Sequence, residues 1–364
     1  MPHLFVDISA HGFGHLAQVA PVLNRLAEQR PALQLTVRSG LPLDRLRQRI
    51  HPPFVHLAAA SDFGYVMHDA VTLDLPATAV AYRAAHTEFP ARVACDTQLL
   101  TKLGVDAVFT DVAYLPLAAA AQAGLPALSM CSLNWADLFL HYFGTEDWAA
   151  PIHAEILAAY RSATFLRVTP GMPMSDLAQV IKIGPIGTMG VARRSALREK
   201  VGADGTARLV MIALGGIPMR LPIEHWPVQE NTLYLVPAAW QPTRADVHTI
   251  ESIGWPFVDL LRSVDAVVTK PGYGTFAEAA GNGTAVLYQR RHDWPEQDCL
   301  IEWLQALARC AEISADELIS GDFARTLDAV LATAVPPATE GSPFGAPTFT
   351  GVEDAVRYLS RLLS

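Results

Sequence analysis

The chain has 364 residues, 51% of them apolar and 17% charged, which is enough apolar material for two domain cores and too little charge for a disordered chain. Its 27 Lys and Arg residues against 36 Asp and Glu residues give a net charge of −9, which excludes a general basic surface for nucleic acid or an anionic membrane. The four cysteines are far apart and form no CxxC pair, so they indicate neither a disulfide framework nor a thiolate metal site.

The amino terminus contains neither a basic segment nor a sustained apolar run, and so it does not resemble a signal peptide. The longest apolar run, residues 112–121, contains Pro116 and is too short to cross a bilayer. We therefore expect a soluble, cytoplasmic protein with no integral membrane contact.

Short apolar runs alternate with helical patterns in the first half of the chain. Residues 4–8 predict a strand, a glycine turn follows at 11–14, and apolar residues from Leu16 to Leu26 recur at helical spacing. Further strands are predicted at residues 34–38, 106–110, 127–130 and 163–169. Strands that alternate with helices and short Gly or Pro turns favour a parallel sheet covered on both faces.

A segment rich in Pro and Gly, bounded by residues 170–174 and 184–187, indicates a linker between domains. The alternation then begins again. Strands are predicted at residues 209–214, 232–237, 266–269 and 285–288, and helices at 276–280 and 296–307.

This pattern predicts an α/β protein with two doubly wound, Rossmann-like domains that face each other across a cleft. The predicted domains are residues 1–180 and 181–350. An amphipathic helix over residues 351–364 follows them and could pack back on the first domain. Residues 336–350, rich in Pro, Gly, Ser and Thr, are predicted to form a surface excursion.

A pair of histidines lies in the turn after the first strand. His11 and His15 lie on either side of Gly12 and Gly14. This turn is at the carboxyl edge of the predicted sheet, where doubly wound folds bind their ligands. An imidazole there could act as a general base, because it titrates near neutrality. The alternative is that both histidines only cap the turn or lie at its edge.

Asp111 directly follows the predicted strand at residues 106–110. A carboxylate at this edge could orient a histidine and stabilise its protonated form. The alternative is an N-cap for the helix that follows, a role that Asp performs well.

Two glycine turns follow strands in the second half. Gly215 and Gly216 could expose backbone amides to a phosphate, although any tight turn could use them. Residues 264–298 are more specific, because a strand there runs into a glycine turn and a helix N-terminus that favours a diphosphate. The residues that this segment would place around such a ligand are Lys270, Gly272, Tyr273, Gly274, Thr275, Glu278, Glu296 and Gln297. The alternative is that each of them lies in a turn or on a solvated face.

Residues 252–298 resemble the donor-binding signature of GT-B glycosyltransferases, a group that includes nucleotide-sugar glycosyltransferases of plants and bacteria and the peptidoglycan enzyme MurG. The resemblance implies that Phe257 and Val258 contact the nucleobase, Gly272, Tyr273, Gly274 and Thr275 the diphosphate, Glu278 the ribose, and Glu296 and Gln297 the donor sugar. It also implies that His15, which follows Gly14 in the Gly-His motif of these enzymes, is the base for the acceptor and that Asp111 is its partner.

A closer resemblance, over most of the chain, is to the glycosyltransferase-like N-terminal region of plant L-arabinokinases and its stand-alone bacterial relatives. The segments HGFGHLAQV, AGLPALSMCSLNWADLF, ALGGIPM and KPGYGTFAEA carry it. No glycine-rich kinase signature occurs, so no kinase activity is expected. The chain departs from the usual pattern at Gln18, where Pro is common, and in the loop with Arg290 and Arg291, which could bind a diphosphate or an acidic sugar or lie in solvent.

The acceptor side is predicted to include His11, Gly14, Asn134 and Trp135. The aromatic residues that follow could add to an acceptor wall, although core packing is the commoner use of such residues. They are Phe139, Tyr142, Phe143 and Trp148.

We therefore expect a glycosyltransferase that moves a sugar from a UDP-linked nucleotide sugar to a small-molecule acceptor, with inversion and without a metal ion. Residues 1–180 would bind the acceptor and residues 181–350 the donor, which is a co-substrate, so no cofactor is expected. Two alternatives remain: a nucleotide-sugar 2-epimerase, and a non-catalytic protein that binds sugar nucleotides.

Overall fold

The computed structural model describes residues 1–177, 179–216, 219–334 and 348–364. Its internal contacts divide the chain into two units. The N-terminal unit comprises Met1–His68, Thr72–Ile186 and Thr350–Ser364, and the C-terminal unit comprises Asp69–Val71 and Gly187–Phe349. The last residues of the chain therefore return to the unit in which it begins.

The N-terminal unit contains a parallel sheet of seven strands in the order β3-β2-β1-β4-β5-β6-β7. These strands are β1 (His3–Ile8), β2 (Gln34–Ser39), β3 (Val55–Leu57), β4 (Ala107–Thr110), β5 (Ala127–Cys131), β6 (Thr164–Val168) and β7 (Val180–Ile183). The helices of this unit are α1 (Phe13–Gln29), α2 (Leu43–Arg49), α3 (Leu75–Thr87), α4 (Phe89–Leu103), α5 (Leu115–Ala123), α6 (Trp135–Phe143), α7 (Ala149–Arg161) and the last helix of the chain, α15 (Gly351–Leu362).

The centre of this sheet is buried on both faces, and it fixes where the neighbouring strands end. Phe5 and Val6 of β1 are fully buried, as expected of a central parallel strand with a continuous apolar run. The register pairs Asp7 with Thr110 and Thr110 with Ser129. Consequently β1, β4 and β5 all end at one edge of the sheet.

The helix α15 belongs to the N-terminal unit through its contacts with α1. Arg25 Nε donates to Glu353 Oε1 at 2.6 Å, and Arg30 Nη2 donates to the carbonyl of Ser360 at 2.8 Å. These bonds join the first and last helices of the chain.

The C-terminal unit contains a parallel sheet of six strands in the order β10-β9-β8-β11-β12-β13. These strands are β8 (Arg208–Ile212), β9 (Thr232–Val236), β10 (Val247–Thr249), β11 (Ala266–Thr269), β12 (Ala285–Tyr288) and β13 (Cys310–Glu312). The helices are α8 (Arg194–Lys200), α9 (Ile250–Ile253), α10 (Phe257–Ser263), α11 (Tyr273–Asn282), α12 (Gln297–Leu307), α13 (Ala315–Ser320) and α14 (Ala324–Ala332).

The two central strands of this sheet end side by side. Val268 of β11 pairs with Ile212 of β8, and the Ala213 N–H donates to the carbonyl of Val268 at 2.9 Å. Thr269 Oγ1 also donates to the carbonyl of Ala213 at 2.6 Å. The turns that follow β8 and β11 are therefore neighbours.

The predicted fold class is confirmed, because both units contain parallel sheets with the alternating strands and helices of a Rossmann-like fold. Each predicted strand is observed. The strands β3, β7, β10 and β13 were not predicted, and they are the edges of the two sheets. The prediction of a linker is wrong at β7, which lies within that segment and pairs with β6.

Most of the predicted surface excursion (residues 336–350) lies outside the described residues, because it falls on residues 336–347. In the described part of the chain, no helix combines the length and the apolar character needed to cross a membrane.

Candidate active site

The turn between β1 and α1 depends on Gly12. Its φ of +127° is a conformation that L side chains rarely adopt, so this position favours glycine. Gly12 is the N-cap of α1, and no side chain caps this helix end. His11 and His15 are thus not caps: the main-chain N–H of His11 donates to Ser9 Oγ at 3.3 Å, and His15 is the third residue of α1.

His15 and Asp111 form a buried pair. His15 Nδ1 lies 2.7 Å from Asp111 Oδ2, and the two side chains are 8% and 0% exposed. The other oxygen of Asp111 accepts the main-chain N–H of Ser9 at 3.1 Å, which fixes the carboxylate at the end of β1. The helix α5 begins at Leu115 and no side chain caps it, so Asp111 is not an N-cap.

The surroundings of His15 favour its protonated form. Burial opposes a positive charge on the imidazole, but the charge of Asp111 and the hydrogen bond to it, with a contribution from Cys131, raise the pKa of His15 well above its ordinary value. A proton accepted by this imidazole during a reaction would therefore be stabilised by Asp111, as in catalytic triads.

A second carboxylate, Asp62, lies beside this pair and was not predicted. Trp135 Nε1 donates to Asp62 Oδ2 at 2.7 Å, and the Trp135 ring lies 5.9 Å from the His15 ring. Burial and the charge of Asp111 raise the pKa of Asp62. Its sequence signal was weak, because Asp62 follows the three-residue edge strand β3, which was itself not predicted.

The loop that carries Asp62 is held by a network of buried charges. Ser61 Oγ donates to Asp7 Oδ1 at 2.7 Å, and Arg38 Nε donates to Asp7 Oδ2 at 2.5 Å. Arg38 also donates to both oxygens of Asp96, at 2.8 and 2.6 Å. Burial raises the pKa of Asp7 to about 7, with a smaller contribution from the charge of Asp62, in spite of the ion pair with Arg38.

The structure places the predicted acceptor-side residues at the same edge of the sheet. The His11 ring lies 5.5 Å from the Trp135 ring, and Gly14 is the second residue of α1. Asn134 Oδ1 caps α6 by accepting the Asp137 N–H at 2.8 Å. Both Asn134 and Trp135 are fully buried.

Gln18 joins α1 to the loop after β5. Its Oε1 accepts the Ser132 N–H at 3.1 Å, and its Nε2 donates to Ser132 Oγ at 3.3 Å. This pairing places Asn134 and Trp135, which follow in the chain, relative to His15.

The aromatic residues predicted to line an acceptor wall divide into two groups. The rings of Phe139 and Phe143 are buried and lie 4.8 and 6.3 Å from the ring of Tyr82, so they belong to the core of the unit. Tyr142 and Trp148 are partly exposed, and the Tyr142 ring lies 5.3 Å from that of Tyr65. The part of the wall that a ligand could reach therefore includes Tyr142.

In the C-terminal unit, Lys270 lies between the two predicted glycine turns. A Cβ atom placed on Gly215 would lie 3.8 Å from Lys270 Nζ, and one placed on Gly272 would lie 4.0 Å away. Gly215 has a φ of +92°, which side chains rarely allow. The structure thus brings an ammonium group and two backbone turns together.

A second cation lies beside Lys270. Burial of the ammonium and the neighbouring charge of Arg291 lower the pKa of Lys270 to about 7, and Glu296 partly opposes this shift. Arg291 is buried, with its guanidinium carbon 3.8 Å from the centre of the Trp294 ring. An anion bound here would compensate two adjacent positive charges.

The loop between β12 and α12, which carries Arg291, is closed by Gln297. Gln297 Oε1 accepts the Arg291 N–H at 2.9 Å, and Gln297 Nε2 donates to the Arg291 carbonyl at 3.0 Å. Glu296 Oε2 accepts the Trp294 Nε1–H at 3.1 Å. Both residues predicted to contact a donor sugar therefore also hold this loop.

The remaining predicted donor residues lie on two helices and the first glycine turn. Those in the first turns of α10 and α11 are Phe257, Val258, Tyr273, Gly274 and Thr275. Glu278 lies one turn further along α11 and is buried, whereas Gly216 is exposed beside Gly215.

Comparison with known proteins supports a glycosyltransferase-like fold. No protein-family model matches the chain. L-arabinokinase from Arabidopsis thaliana is 25% identical over 345 residues, which are 92% of this chain and 32% of that protein. The chain therefore spans about a third of the length of the curated relative it matches.

Two of the solved structures similar to this chain are glycosyltransferases. The glycotransferase of kitacinnamycin gives a TM-score of 0.62 at 14% identity and covers 100% of this chain and 95% of that one. A UDP-glucosyltransferase from Polygonum tinctorium that is capable of glucosylating indoxyl gives a TM-score of 0.57 at 15% identity. The similarity covers 100% of this chain and 95% of that one. The fold of the chain is that of the GT-B glycosyltransferases, as its resemblance to them predicts.

Proposed function

We propose that the chain is a Leloir-type glycosyltransferase that transfers a sugar from a UDP-linked donor to a small-molecule acceptor, with inversion and without a metal ion. The observation that carries this proposal is the buried pair of His15 and Asp111, with 2.7 Å between Nδ1 and Oδ2. Such a pair is the arrangement that supplies a general base, and it lies at the sheet edge where this fold class binds ligands.

In the proposed reaction, an acceptor hydroxyl loses its proton to His15 Nε2 while its oxygen attacks C1 of the donor sugar. Asp111 stabilises the imidazolium that forms. The bond between C1 and the diphosphate oxygen breaks, and its electron pair leaves with UDP. Because the attack comes from the face opposite to the leaving group, the configuration at C1 is inverted.

The C-terminal unit supports the donor half of the proposal. Lys270, Arg291, the amides of the two glycine turns and the N-terminus of α11 are groups that stabilise negative charge on a departing diphosphate. These groups take the place that a bound cation has in metal-dependent transferases. A UDP-linked donor agrees with the similarity to a UDP-glucosyltransferase.

For the rest of the donor, the assignments made from the sequence resemblance stay part of the proposal. Phe257 and Val258 would contact the nucleobase, Glu278 the ribose and Glu296 the sugar. Gln297 has a role other than contact with the sugar, because both polar atoms of its amide already form hydrogen bonds with the main chain of Arg291. We propose that it positions the loop with Arg291.

Binding and product analysis test the proposal. UDP should bind the purified chain in calorimetry and raise its melting temperature as the site becomes occupied. With UDP-glucose and a panel of hydroxyl acceptors, in the presence of EDTA, the chain should release UDP and form β-glucosides, identified by the coupling constant at C1. Isomerisation of UDP-glucose without an acceptor would show an epimerase, and UDP binding without any chemistry would show a binding protein. Either result overturns the proposal.

A further inference from the structure

One oxygen of the Asp62 carboxylate makes no hydrogen bond of normal geometry in the described part of the chain. Oδ2 accepts the Trp135 Nε1–H at 2.7 Å, and the Ser9 hydroxyl interacts with the carboxylate and opposes the rise in its pKa, but Oδ1 is buried and has no well-aligned donor among the described residues. Buried polar atoms in folded proteins are nearly always paired, so an unpaired carboxylate oxygen points to a partner that the chain itself does not supply.

Asp62 lies next to the proposed base. The centre of the Trp135 ring, whose indole N–H donates to Asp62, lies 5.9 Å from the centre of the His15 ring and 5.5 Å from that of His11. The charges of Asp111 and His15 both act on the Asp62 carboxylate. A molecule that reaches His15 is therefore close to Asp62.

The position of Asp62 is fixed by close packing on both sides of it in the chain. Arg92 Nη2 donates to the carbonyl of Ser61 at 2.7 Å. Gly64 has a φ of +60°, and a Cβ atom there would lie 2.7 Å from Cγ of His11, so the loop can approach His11 only with glycine at this position. A rigid loop can present the unpaired oxygen in one direction.

Asn134 carries a second unpaired atom. Its Oδ1 caps α6 at 2.8 Å from the Asp137 N–H, while its Nδ2 is buried, interacts with the Asp137 carboxylate and makes no hydrogen bond of normal geometry with a described residue. Trp135 connects the two sites, because it follows Asn134 in the chain and donates to Asp62. One unpaired acceptor and one unpaired donor thus lie near the same indole ring.

We propose that Asp62 and Asn134 bind hydroxyl groups of the acceptor beside the hydroxyl that His15 deprotonates, so that the acceptor is a polyhydroxylated molecule such as a sugar or a cyclitol. A hydroxyl can donate to Asp62 Oδ1, and it or its neighbour can accept from Asn134 Nδ2. The partly exposed ring of Tyr142 suits the apolar C–H face of such a molecule. The identity of the reacting hydroxyl rests on the proposed function, whereas the binding of the polyol does not.

Binding without turnover tests this inference directly. The probes are the methyl glycosides of glucose, galactose and arabinose, myo-inositol, and 4-methylphenol as a ligand with a single hydroxyl, all measured by ligand-observed NMR. The wild-type protein should bind at least one polyol. Asp62→Asn should weaken that binding by about tenfold to a hundredfold, because the loss of a charged hydrogen-bond acceptor has effects of this size. Asn134→Asp, which keeps the helix cap, should also weaken it, and neither change should alter binding of 4-methylphenol.

A matched control is Asp44→Asn, since the Asp44 side chain is 71% exposed in the first turn of α2. This variant should bind polyols like the wild type, and unchanged binding of 4-methylphenol in all variants reports that the N-terminal unit is intact. Where transfer occurs, Asp62→Asn should raise KM for a polyol more than it lowers kcat, whereas His15→Ala should lower kcat with polyol binding retained.

Two results overturn the inference: no polyol binds the wild-type protein, or Asp62→Asn binds polyols as well as the wild type does. Polyol binding that depends on Asp62 in a protein that transfers no sugar would overturn the proposed function and support this inference.

Discussion

The residues that follow the carboxyl ends of the strands carry opposite charge in the two units. In the N-terminal unit, Asp111 after β4 and Asp62 after β3 surround His15. In the C-terminal unit, Lys270 after β11 lies beside Arg291 after β12. Since both sheets are parallel and both sites lie at the corresponding edge, the fold determines where a ligand can bind, and the side chains after each strand determine its charge.

The two sites also differ in how their positive charges are balanced. In the N-terminal unit a positive charge on His15 is balanced by Asp111 within the chain, so this pair is complete before any ligand arrives. In the C-terminal unit two cations are adjacent, and a bound anion would relieve their repulsion. This difference predicts that changes to His15 or Asp111 reduce the rate of chemistry, whereas changes in the second site reduce affinity for the donor.

The largest expected effect is the loss of the base. We expect His15→Ala to lower kcat by about 10²–10⁴-fold, because positioned general bases contribute about this factor, and to leave the Kd for UDP unchanged. Asp111→Asn should lower kcat to a similar extent, since it leaves His15 without the charge that stabilises its protonated form. Steady-state kinetics measure the first quantity and calorimetry the second.

The control for this test is His51→Ala, which removes an exposed histidine from the same unit and should leave both quantities unchanged. Equal losses of kcat and UDP affinity in His15→Ala would contradict the division of labour between the two units.

How far the fold could be predicted depended on the position of each strand in its sheet. Interior strands such as β1 and β11 are buried on both faces, so their sequences are continuous apolar runs. The edge strands have three or four residues and lack such runs, as in VHT of β10 and CAE of β13. An edge strand pairs with only one neighbouring strand and is less buried than an interior strand, so its sequence resembles that of a loop.

The same limit explains which site residues could be predicted. His15 and Asp111 each follow an interior strand, so the fold class predicted them at one edge of the sheet, and the resemblance to GT-B enzymes implied that they pair. Asp62 follows an edge strand, and its bond to Trp135 joins residues 73 positions apart. The bonds between Gln297 and the main chain of Arg291 depend on a loop conformation that residue spacing does not specify.

An intermediate effect is expected from the donor site. We expect Lys270→Met, which keeps most of the side-chain length, to weaken UDP binding by about 10–100-fold, as the loss of a charged hydrogen bond of about 1.5–3 kcal/mol implies. Calorimetry measures this change. Lys182→Met, an exposed lysine on β7, should bind UDP like the wild type. If Lys270→Met binds UDP within twofold of the wild type, the ammonium does not contact the diphosphate.

The smallest expected effect is that of pH on kcat and on UDP affinity. It compares the two units most directly, because each quantity depends on a titrating group in a different unit. His15 accepts a proton only when neutral, and its pKa is raised, so kcat should increase as pH rises through that pKa. Lys270 has a pKa of about 7 in the free protein, and a bound diphosphate would raise it. UDP affinity should therefore be greatest where the ammonium is already present, below pH 7, and should decrease above it.

For one proton taken up on binding, linkage limits the decrease to about tenfold per pH unit, and it ends at the pKa of Lys270 in the complex. Calorimetry from about pH 7 upward isolates this change, because the terminal phosphate of UDP titrates near pH 6. The opposite slopes of kcat and UDP affinity should give a bell-shaped profile of kcat/KM for the donor. Lys270→Met should abolish the decrease in affinity, and His15→Ala should preserve it. A decrease that persists in Lys270→Met would assign it to another group and remove the link between donor binding and the adjacent cations.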